Sequence, residues 1–393
     1  MSIAFICGSS RDRCEHVSQR AVESEASTIV SQNTKRSIEV EYWVIDSEGH
    51  LVEPGALVDA SPGAEREFVK PLLEVKTTPC ETTAELRGEL FERIEAVLDR
   101  AANLDRGLVP LATPVHEDEI AELPAARTRV QNRAVGEQFA HVRHCAGTHI
   151  HVEQEPGHAI DQLNVLTALD PALALVNSSP YFQGEQIAAS ARSKLYRWRA
   201  YESLPPQGRL WPYTEDRAEW QRRLDQRYEE FLAAALDAGI DRETVEAHFD
   251  PESAVWTPAK LRAEFGTVEW RAPDTALPSQ VVRLADDVVG VLDRIGDTEV
   301  RIGGEPGVTD EALVLPAFDT LREYVDAAIE EGLTDEIREY LDRMEFTVWR
   351  YDPLSPAVGE RATADADTAR QLRIEAARRL ERDIGRRSSV RAD

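Results

Sequence analysis

Apolar and polar side chains alternate along several short stretches of the chain, a pattern typical of half-buried β-strands. The first stretch begins at Ser37, where Ile38 and Val40 alternate with Glu39 and Glu41. Strands are predicted over 37–45, 72–78, 108–112, 147–153 and 267–271.

Apolar residues at helical spacing dominate most of the remaining sequence. Thr82 and Glu85 form a capping box that predicts a helix start, and this helix runs to about Leu104, before Gly107. Further helices are predicted over 161–176, 186–201, 216–238, 278–295, 310–331, 335–344 and 365–385. Strands and helices without a regular βαβ rhythm predict an α+β fold.

Four of the predicted strands carry two functional polar groups at positions i and i+2, which lie on the same face of a strand. The pairs are Glu39/Glu41, Glu74/Lys76, His149/His151 and Glu269/Arg271. The alternate positions are apolar and are predicted to form the core: Ile38, Val40, Leu73, Val75, Ile150, Val268 and Trp270. A single polar pair usually indicates only a solvent-exposed face. Four pairs rich in carboxylates indicate a functional site, because like charges opposite each other destabilise a sheet unless a cation offsets them.

The carboxylates favour Mg²⁺ or Mn²⁺, which take oxygen ligands and recruit phosphate oxygens. The sequence contains no Walker A motif, no G-x-G-x-x-G motif and no G-x-S-x-G motif. A nucleotide would therefore be held chiefly by metals and arginines.

His149 and His151 also allow a zinc pair, with Cys145 nearby in the sequence. This reading implies a zinc-dependent amidohydrolase as an alternative function. The hard carboxylate ligands expected around His149 and His151 make zinc the less favoured metal. His141 and His144 are expected to be surface or hydrogen-bonded histidines without a metal.

Two further segments are candidates for binding substrate. The segment from Asn177 to Gly184 is rich in hydrogen-bond donors and predicts the edge of a small-molecule pocket, or simply a turn after a helix. Arg192 lies in a basic helical stretch. This stretch could bind an acidic substrate or phosphate, or it could be a solvent-exposed helix face whose arginines pair with surface carboxylates. A non-enzymatic binding protein for an acidic metabolite would use Arg192 and Arg271 but would not need the clustered carboxylates.

The composition narrows the possible partners. The 393 residues contain 72 acidic and 45 basic side chains, which gives a formal net charge of -27. This charge argues against a nucleic-acid partner. The sequence has no apolar run long enough to span a membrane, and Arg11-Asp-Arg-Cys-Glu15 stands where a signal peptide would need an apolar stretch. The four cysteines lack a disulfide framework, so we expect a cytoplasmic location without export. Only five basic residues are lysines, which favours a salt-adapted protein over an acidic mesophilic one.

Six short motifs occur in an order typical of one family. They are Ser37-Ile-Glu-Val-Glu-Tyr42, Leu73-Glu-Val-Lys-Thr-Thr-Pro-Cys80, Gly147-Thr-His-Ile-His-Val152, Asn177-Ser-Ser-Pro180, Ser190-Ala-Arg-Ser193 and Thr267-Val-Glu-Trp-Arg271. Together they resemble the glutamate–cysteine ligase type 2 family of carboxylate–amine ligases, and most of all its haloarchaeal members. The resemblance extends from about Ser37 to beyond Arg271.

The resemblance implies a curved antiparallel sheet cradle with flanking helices, like that of glutamine synthetase. It also implies ATP-dependent joining of glutamate to cysteine through γ-glutamyl phosphate, with Mg²⁺ or Mn²⁺ as cofactor and ATP as co-substrate. Relatives that join glutamate to other amines share these motifs, so another amine acceptor remains an alternative.

The resemblance also assigns roles to individual residues. The metal ligands would be Glu39, Glu41, Glu74, His149 and Glu269. Arg271 and Glu269 would be the catalytic residues, with Arg271 on the transferring phosphoryl group. Arg192 would contact the substrate carboxylate or phosphate, and His151 would lie where the amino-acid pocket begins. Lys76, in a polar strand pair, and Asn177, in the donor-rich segment, are further candidates for binding substrate or ATP.

The domain boundary follows a change in composition near Arg36. Residues 1–35 are Ser-rich and weakly periodic, and we interpret them as a disordered leader or as a start codon placed too early. Residues 36–393 are expected to form a single catalytic domain with a mostly helical C-terminal part. The oligomeric state does not follow from the sequence.

Overall fold

Antiparallel strands paired around a long first strand organise the fold. The computed structural model describes residues 34–385, so the prediction for residues 1–35 lies almost entirely outside the described residues. The described residues belong to one compact unit. Their strands are β1 (Arg36–Asp46), β2 (Ala64–Arg66), β3 (Leu72–Lys76), β4 (Arg106–Val109), β5 (Thr148–Glu153), β6 (Tyr181–Phe182), β7 (Glu185–Gln186), β8 (Ala259–Arg262), β9 (Thr267–Trp270), β10 (Glu299–Ile302), β11 (Gly307–Val308) and β12 (Ala312–Leu315).

Twelve α-helices surround the strands within residues 34–385. They are α1 (Thr83–Ala102), α2 (Ala126–Val135), α3 (Ala159–Ala168), α4 (Ala191–Lys194), α5 (Arg217–Asp237), α6 (Arg242–Glu246), α7 (Pro251–Ala254), α8 (Pro278–Leu292), α9 (Phe318–Glu330), α10 (Asp335–Arg343), α11 (Ser355–Val358) and α12 (Ala366–Asp383). Shorter 3₁₀ segments lie at Gly55–Asp59, Glu137–His144, Asp170–Val176 and Val348–Arg350, and a π-helical turn lies at Leu195–Ala200.

The main sheet has seven strands in the order β2-β3-β1-β5-β9-β8, with β4 paired to the second half of β1. All of its pairings are antiparallel. A small sheet contains β10, β12 and β11, and β6 pairs with β7. The α+β class and the antiparallel sheet predicted from the sequence are confirmed.

One face of the main sheet is apolar and packs against helices. Its seven predicted core positions are almost completely buried, as Val40 on β1 and Trp270 on β9 illustrate. They belong to one cluster with the apolar sides of α1, α3 and α8. The capping box of α1 is present, because the Thr82 side chain accepts from the Glu85 backbone and the Glu85 side chain accepts from the Thr82 backbone.

The opposite face of β1 is polar in the first half of the strand and apolar in the second half. Glu39 and Glu41 occupy its first half, whereas Trp43 and Ile45 occupy its second half and pack in a separate core with α12. The C-terminal helix therefore covers the end of the sheet where the polar side chains stop.

Three predicted helices differ from the structure. The helix predicted over 161–176 breaks between α3 and the 3₁₀ segment at Asp170–Val176, because Pro171 lacks the backbone N–H that an α-helix needs. In the range 186–201, the helical part starts only at Ala191 and becomes a π-helical turn at Leu195. In the range 310–331, β12 precedes α9, and Pro316 separates the two elements.

Among the described residues, no single helix is both long and apolar enough to cross a membrane. Ala159–Ala168 and Asp170–Val176 reach that length and composition only when they are counted together, across a bend of 53°.

Candidate active site

The register of the main sheet aligns the polar pairs of four strands on one face. On β1, Glu39 lies opposite Lys76 of β3 and opposite His149 of β5, and Glu41 lies opposite Glu74. The predicted pairs therefore share a face, and they also form rows that run across neighbouring strands.

A second row continues this polar face toward the sheet edge. His151 of β5 lies opposite Glu269 of β9, and Glu269 lies opposite Lys260 of β8. The row therefore ends in a lysine at the edge strand.

A cavity of about 340 Å³ opens above the polar face. The carboxylates of Glu39, Glu41 and Glu74 lie on its floor. Its remaining lining comes from the loop after β2, from α2, from the 3₁₀ segment before β5, from the π-helical turn and from the segment before β8. These residues are Glu67, Phe68, Arg127, Thr128, Gln131, Phe139, Val142, Tyr196, Tyr201, Ser253, Ala254, Val255 and Trp256, together with Lys76, His149, Lys260 and Arg271.

Glu39, His151 and Glu269 form the first of three groups whose ligand atoms could hold one metal ion. The Nε2 atom of His151 lies 3.8 Å from Oε1 of Glu39 and 3.6 Å from Oε1 of Glu269. It is buried without a hydrogen-bond partner, whereas the other ring nitrogen lies 3.2 Å from the Thr267 hydroxyl. The unpartnered Nε2 atom of His151 therefore lies where it could bind a cation together with Glu39 and Glu269.

Glu39, Glu74 and His149 form the second group. Nδ1 of His149 lies 3.0 Å from Oε2 of Glu39. Burial lowers the pKa of His149 to about 4, and Arg271 acts in the same direction. Burial acts to raise the pKa of Glu39, but the contacts with His149 and His151 outweigh it, so the pKa of this carboxyl lies well below its usual range. The pair therefore consists of a carboxylate and a neutral imidazole at neutral pH, the forms that metals bind.

Glu41, Glu67 and Glu74 form the third group. Burial raises the pKa of Glu41 to about 7, of Glu67 to about 7 and of Glu74 to about 8. Repulsion by neighbouring carboxylates adds to the effect of burial in all three. Such a group stays partly protonated near neutral pH unless a cation joins it.

The donor atoms of these groups suit Mg²⁺ or Mn²⁺ better than zinc. Each group contains at least two carboxylates and no more than one imidazole. His149 and His151 fall in different groups, and Cys145 belongs to none of the three; its thiol contacts the backbone oxygen of His141. His144 contacts the backbone oxygen of Glu117, as expected for a hydrogen-bonded histidine.

Glu269 and Arg271 lie side by side, as their i, i+2 spacing predicts. Glu269 is completely buried, with one carboxylate oxygen bound by Arg271 and the other 2.9 Å from Arg262. Burial acts to raise the pKa of Glu269, but Arg271 and Lys260 outweigh it, so the pKa of this carboxyl lies well below its usual range. Arg271 therefore presents a cation to the cavity while a buried carboxylate orients it.

Arg192 lies behind the cavity rather than in its lining. Its guanidinium is buried and donates to the backbone oxygens of Arg271 at 3.1 Å and of Ala272 at 3.0 Å. It also packs against Gly147, where an added Cβ would lie 2.1 Å from a guanidinium nitrogen. These contacts position the strand end that carries Arg271, which is a different role from the predicted contact with substrate.

Asn177 also lies outside the cavity. Its side-chain amide donates to the backbone oxygen of Ala328, and it borders a separate cavity of about 520 Å³. The motif 177–180 and the motif 190–193 are both hydrogen-bonded to buried Asp274, whose carboxylate accepts from the Ser178 backbone and from the Ser190 hydroxyl. The two motifs therefore support the fold near the site.

The remaining predicted residues lie at the site. Lys76 lines the cavity and forms an ion pair of 2.7 Å with Glu74. His151, predicted to bind substrate, lies where a metal ligand fits better.

Four residues of the cavity lining were not predicted from the sequence: Glu67, Lys260, Tyr196 and Trp256. Glu67 lies in a loop without periodicity, and Lys260 lies in a four-residue strand too short for alternation to reveal. Tyr196 and Trp256 stack with ring centroids 4.5 Å apart in the cavity wall and come from segments distant in sequence. No local signal marks these residues.

Comparison with known proteins gives consistent matches. The family model described as glutamate–cysteine ligase family 2 (GCS2) matches residues 21–388. A putative glutamate–cysteine ligase 2-1 of Rhodococcus jostii is 25% identical over 325 residues, which cover 80% of this chain and 79% of the relative. A glutamate–cysteine ligase of Halobacterium salinarum is 27% identical over 269 residues, which cover 64% of this chain and 67% of the relative.

The fold is shared with a solved structure. The crystal structure of glutamate–cysteine ligase from Francisella tularensis in complex with AMP superposes with a TM-score of 0.51 at 14% sequence identity. The match covers 92% of this chain and 90% of that chain.

Proposed function

The chain belongs to glutamate–cysteine ligase family 2 and is a ligase, and on that premise we propose that it joins L-glutamate to L-cysteine with the use of ATP. The bond forms between the γ-carboxylate of glutamate and the amine of cysteine. The products are γ-glutamylcysteine, ADP and phosphate.

One observation carries this proposal: the polar face of the sheet assembles three carboxylate-rich groups, and each of them contributes at least one residue to the cavity that Arg271 also lines. Phosphoryl transfer depends on positioning and on neutralising the charge of phosphate, and needs little covalent help from side chains. Clustered carboxylates that can hold cations, next to the half-buried Arg271, meet that need.

The donor atoms fit divalent cations, as the unpartnered nitrogen of His151 and the raised carboxyl pKa values indicate. The residues that would hold them are Glu39, Glu41, Glu67, Glu74, His149, His151 and Glu269. Bound Mg²⁺ or Mn²⁺ would supply positive charge to the phosphates of ATP.

In the first step, a γ-carboxylate oxygen of glutamate attacks the terminal phosphorus of ATP, and the bond to the bridging oxygen of ADP breaks. We propose that Arg271 contacts oxygens of the transferred phosphoryl group; its position in the cavity lining and its contact with Glu269 support this role. Its planar donor pair suits phosphate oxygens.

In the second step, the neutral amine of cysteine attacks the carbonyl carbon of γ-glutamyl phosphate. The carbon–oxygen bond to phosphate breaks, and the amine gives up a proton to the departing phosphate or to solvent as the amide forms. Tyr196, Tyr201 and Trp256 line this cavity with aromatic side chains, which would limit the access of water to the acyl phosphate.

The proposal is tested by measuring ADP release from ATP and Mg²⁺ with glutamate and a panel of amines, and by identifying the product by mass. We expect ADP release to require glutamate and to be fastest with cysteine, with one γ-glutamylcysteine formed for each ADP. Faster turnover with another amine would reassign the acceptor. Release of ADP without amide formation would reject the ligase proposal.

The metal content of the purified protein addresses the zinc-dependent amidohydrolase. Tightly bound stoichiometric zinc, with hydrolysis of amides in the absence of ATP, would support that enzyme. Weakly bound, exchangeable Mg²⁺ supports the ligase.

A further inference from the structure

Lys260 is a buried basic side chain that lines the cavity and has no role in the reaction steps described above. It lies on edge strand β8, directly opposite Glu269, and its residue is only 5% exposed. The chain has five lysines, and within residues 34–385 Lys260 is the one that is buried.

The ammonium group of Lys260 is incompletely paired. Its Nζ donates to the backbone oxygen of Glu252 at 3.0 Å, and no ion pair within 4.0 Å links it to a carboxylate among the described residues. By contrast, Lys76 lies 2.7 Å from Glu74, and Lys194 lies 2.7 Å from Glu330. Two of the three N–H groups of Lys260 therefore have no protein acceptor in the described part of the chain.

The carboxylate nearest in register, that of Glu269, is already bound by two arginines and forms no ion pair with Lys260 within 4.0 Å. Glu269 gives one oxygen to Arg271 and the other to Arg262. A buried ammonium without a direct anionic partner is unfavourable, and an anionic group that enters the cavity would stabilise its charged form.

We propose that Lys260 binds an anionic oxygen of a substrate, either on the phosphoryl group of ATP or on a carboxylate of glutamate. The identity of these substrates rests on the proposed function. The location fits both sources, because Lys260 and Arg271 line the same cavity and Arg271 faces the phosphoryl group in the proposed reaction. Lys260 is then a binding residue that acts together with Arg271.

The test compares Lys260→Met with the matched control Lys70→Met. Lys70 is partly exposed, pairs with Glu53 at 3.1 Å and lies outside the lining of the cavity. Binding of Mg²⁺ with AMP-PNP, a non-hydrolysable ATP analogue, and binding of glutamate are measured separately by calorimetry. The KM for each substrate and the kcat are measured in parallel.

We expect Lys260→Met to weaken binding of one of the two ligands by about 10-fold or more, since a charge-assisted hydrogen bond is lost. Weaker AMP-PNP binding would assign the contact to phosphate, and weaker glutamate binding would assign it to a carboxylate. Lys260→Arg should recover part of the affinity, and Lys70→Met should bind both ligands like the wild type.

Unchanged binding and unchanged KM in Lys260→Met would overturn the proposal, even if the melting temperature falls, because a purely structural lysine affects stability alone. The binding measurements need no turnover, so they separate the two hypotheses. A wild-type protein that forms no γ-glutamylcysteine while Lys260→Met loses affinity would reject the proposed function and keep this one. A wild-type protein that binds neither ligand would reject both.

Discussion

Glu269 stays ionised although it is completely buried, because arginines bind both of its carboxylate oxygens. A buried ion pair contributes less to stability than its Coulomb energy suggests, since both charges lose their hydration. Its value here lies in aiming the Arg271 guanidinium at the cavity. Substitutions of Glu269 and Arg271 can therefore be compared for their effects on turnover and on melting temperature.

We predict that Arg271→Lys lowers kcat by about 10² or more, because lysine keeps the charge but loses the planar donor pair. Glu269→Gln should weaken Mg²⁺ binding and lower turnover steeply, and should also lower the melting temperature because two arginines lose a charged partner. ADP production and thermal melting are the measurements.

The chain offers a matched control for this pair. Glu299 and Arg301 have the same i, i+2 spacing on β10 and form an exposed ion pair of 2.6 Å. Glu299→Gln and Arg301→Lys should leave activity and stability nearly unchanged. Activity within a few-fold of wild type in both Glu269 and Arg271 variants would remove this strand from the active site.

The carboxyls Glu41, Glu67 and Glu74 make the stability of the metal-free protein depend on pH. Their pKa values of about 7, 7 and 8 lie above the ordinary value of 4.5, so between these values the folded protein holds more protons than the unfolded chain. The free energy of unfolding should therefore fall as pH rises from about 6 to about 8. Mg²⁺ should reduce this fall, because it binds the deprotonated carboxylates.

Thermal melting at both pH values, with Mg²⁺ and with a chelator, measures the effect. Lys260 acts in the opposite sense above pH 7, because burial lowers its pKa to about 7. The comparison with Glu74→Gln isolates the carboxyls, since this variant should show a smaller pH dependence without metal. An equal dependence in wild type and variant would mean that Glu74 is already ionised in the folded protein.

At the scale of elements, the contact of Gly147 with Arg192 links two sequence motifs that are far apart in the chain. Gly147 lies just before β5, and its lack of a side chain leaves room for the guanidinium of Arg192 from α4. That guanidinium in turn holds the backbone after β9. One glycine therefore supports the position of Arg271 without touching the cavity itself.

We predict that Gly147→Ala lowers both the melting temperature and kcat, because the new Cβ would displace the buried guanidinium of Arg192. Gly88→Ala is the matched control. Gly88 is exposed inside α1 with no atom within 4 Å of an added Cβ, so this variant should gain about 0.5–1 kcal/mol of stability and keep full activity. Full activity and an unchanged melting temperature in Gly147→Ala would show that Arg192 can move at no cost.

Local sequence signals predicted some element boundaries correctly and others wrongly. The capping box of Thr82 and Glu85 predicts the start of α1 correctly, because its hydrogen bonds involve residues three apart. The range 310–331 is predicted wrongly in its first part, where β12 pairs with β10 and β11. Those partners lie in segments whose strands the sequence pattern did not reveal.

At the scale of the whole molecule, the net charge of -27 is the dominant electrostatic property. Excess negative charge destabilises a compact state through repulsion, and salt screens it. The Debye length falls from about 10 Å at 0.1 M to about 3 Å at 1 M salt, so even neighbouring surface carboxylates are then screened.

We predict that the melting temperature and activity rise as KCl or NaCl is increased from about 0.1 M to about 1 M and beyond. The measurement is thermal melting and ADP release across that series, with KCl compared with NaCl to separate screening from a specific ion effect. Full activity at low salt together with a constant melting temperature would contradict salt adaptation and favour the acidic mesophilic alternative.

The sequence by itself determined which faces of the strands are polar and which are apolar. Alternation is a local property of an extended backbone, so Glu39/Glu41 and Glu269/Arg271 share a face wherever their strands lie. Local capping and proline positions likewise determined several helix ends.

The tertiary structure alone decided which polar residues meet. The register of β1 with β3 and β5 places Glu41 opposite Glu74 and Glu39 opposite His149, and a shift of one residue would turn these side chains to the other face. Long-range packing also brings Glu67 and Lys260 to the cavity and keeps Asn177 away from it. The physical reason is that strand pairing and the covering of a sheet depend on contacts between distant segments, which no local pattern encodes.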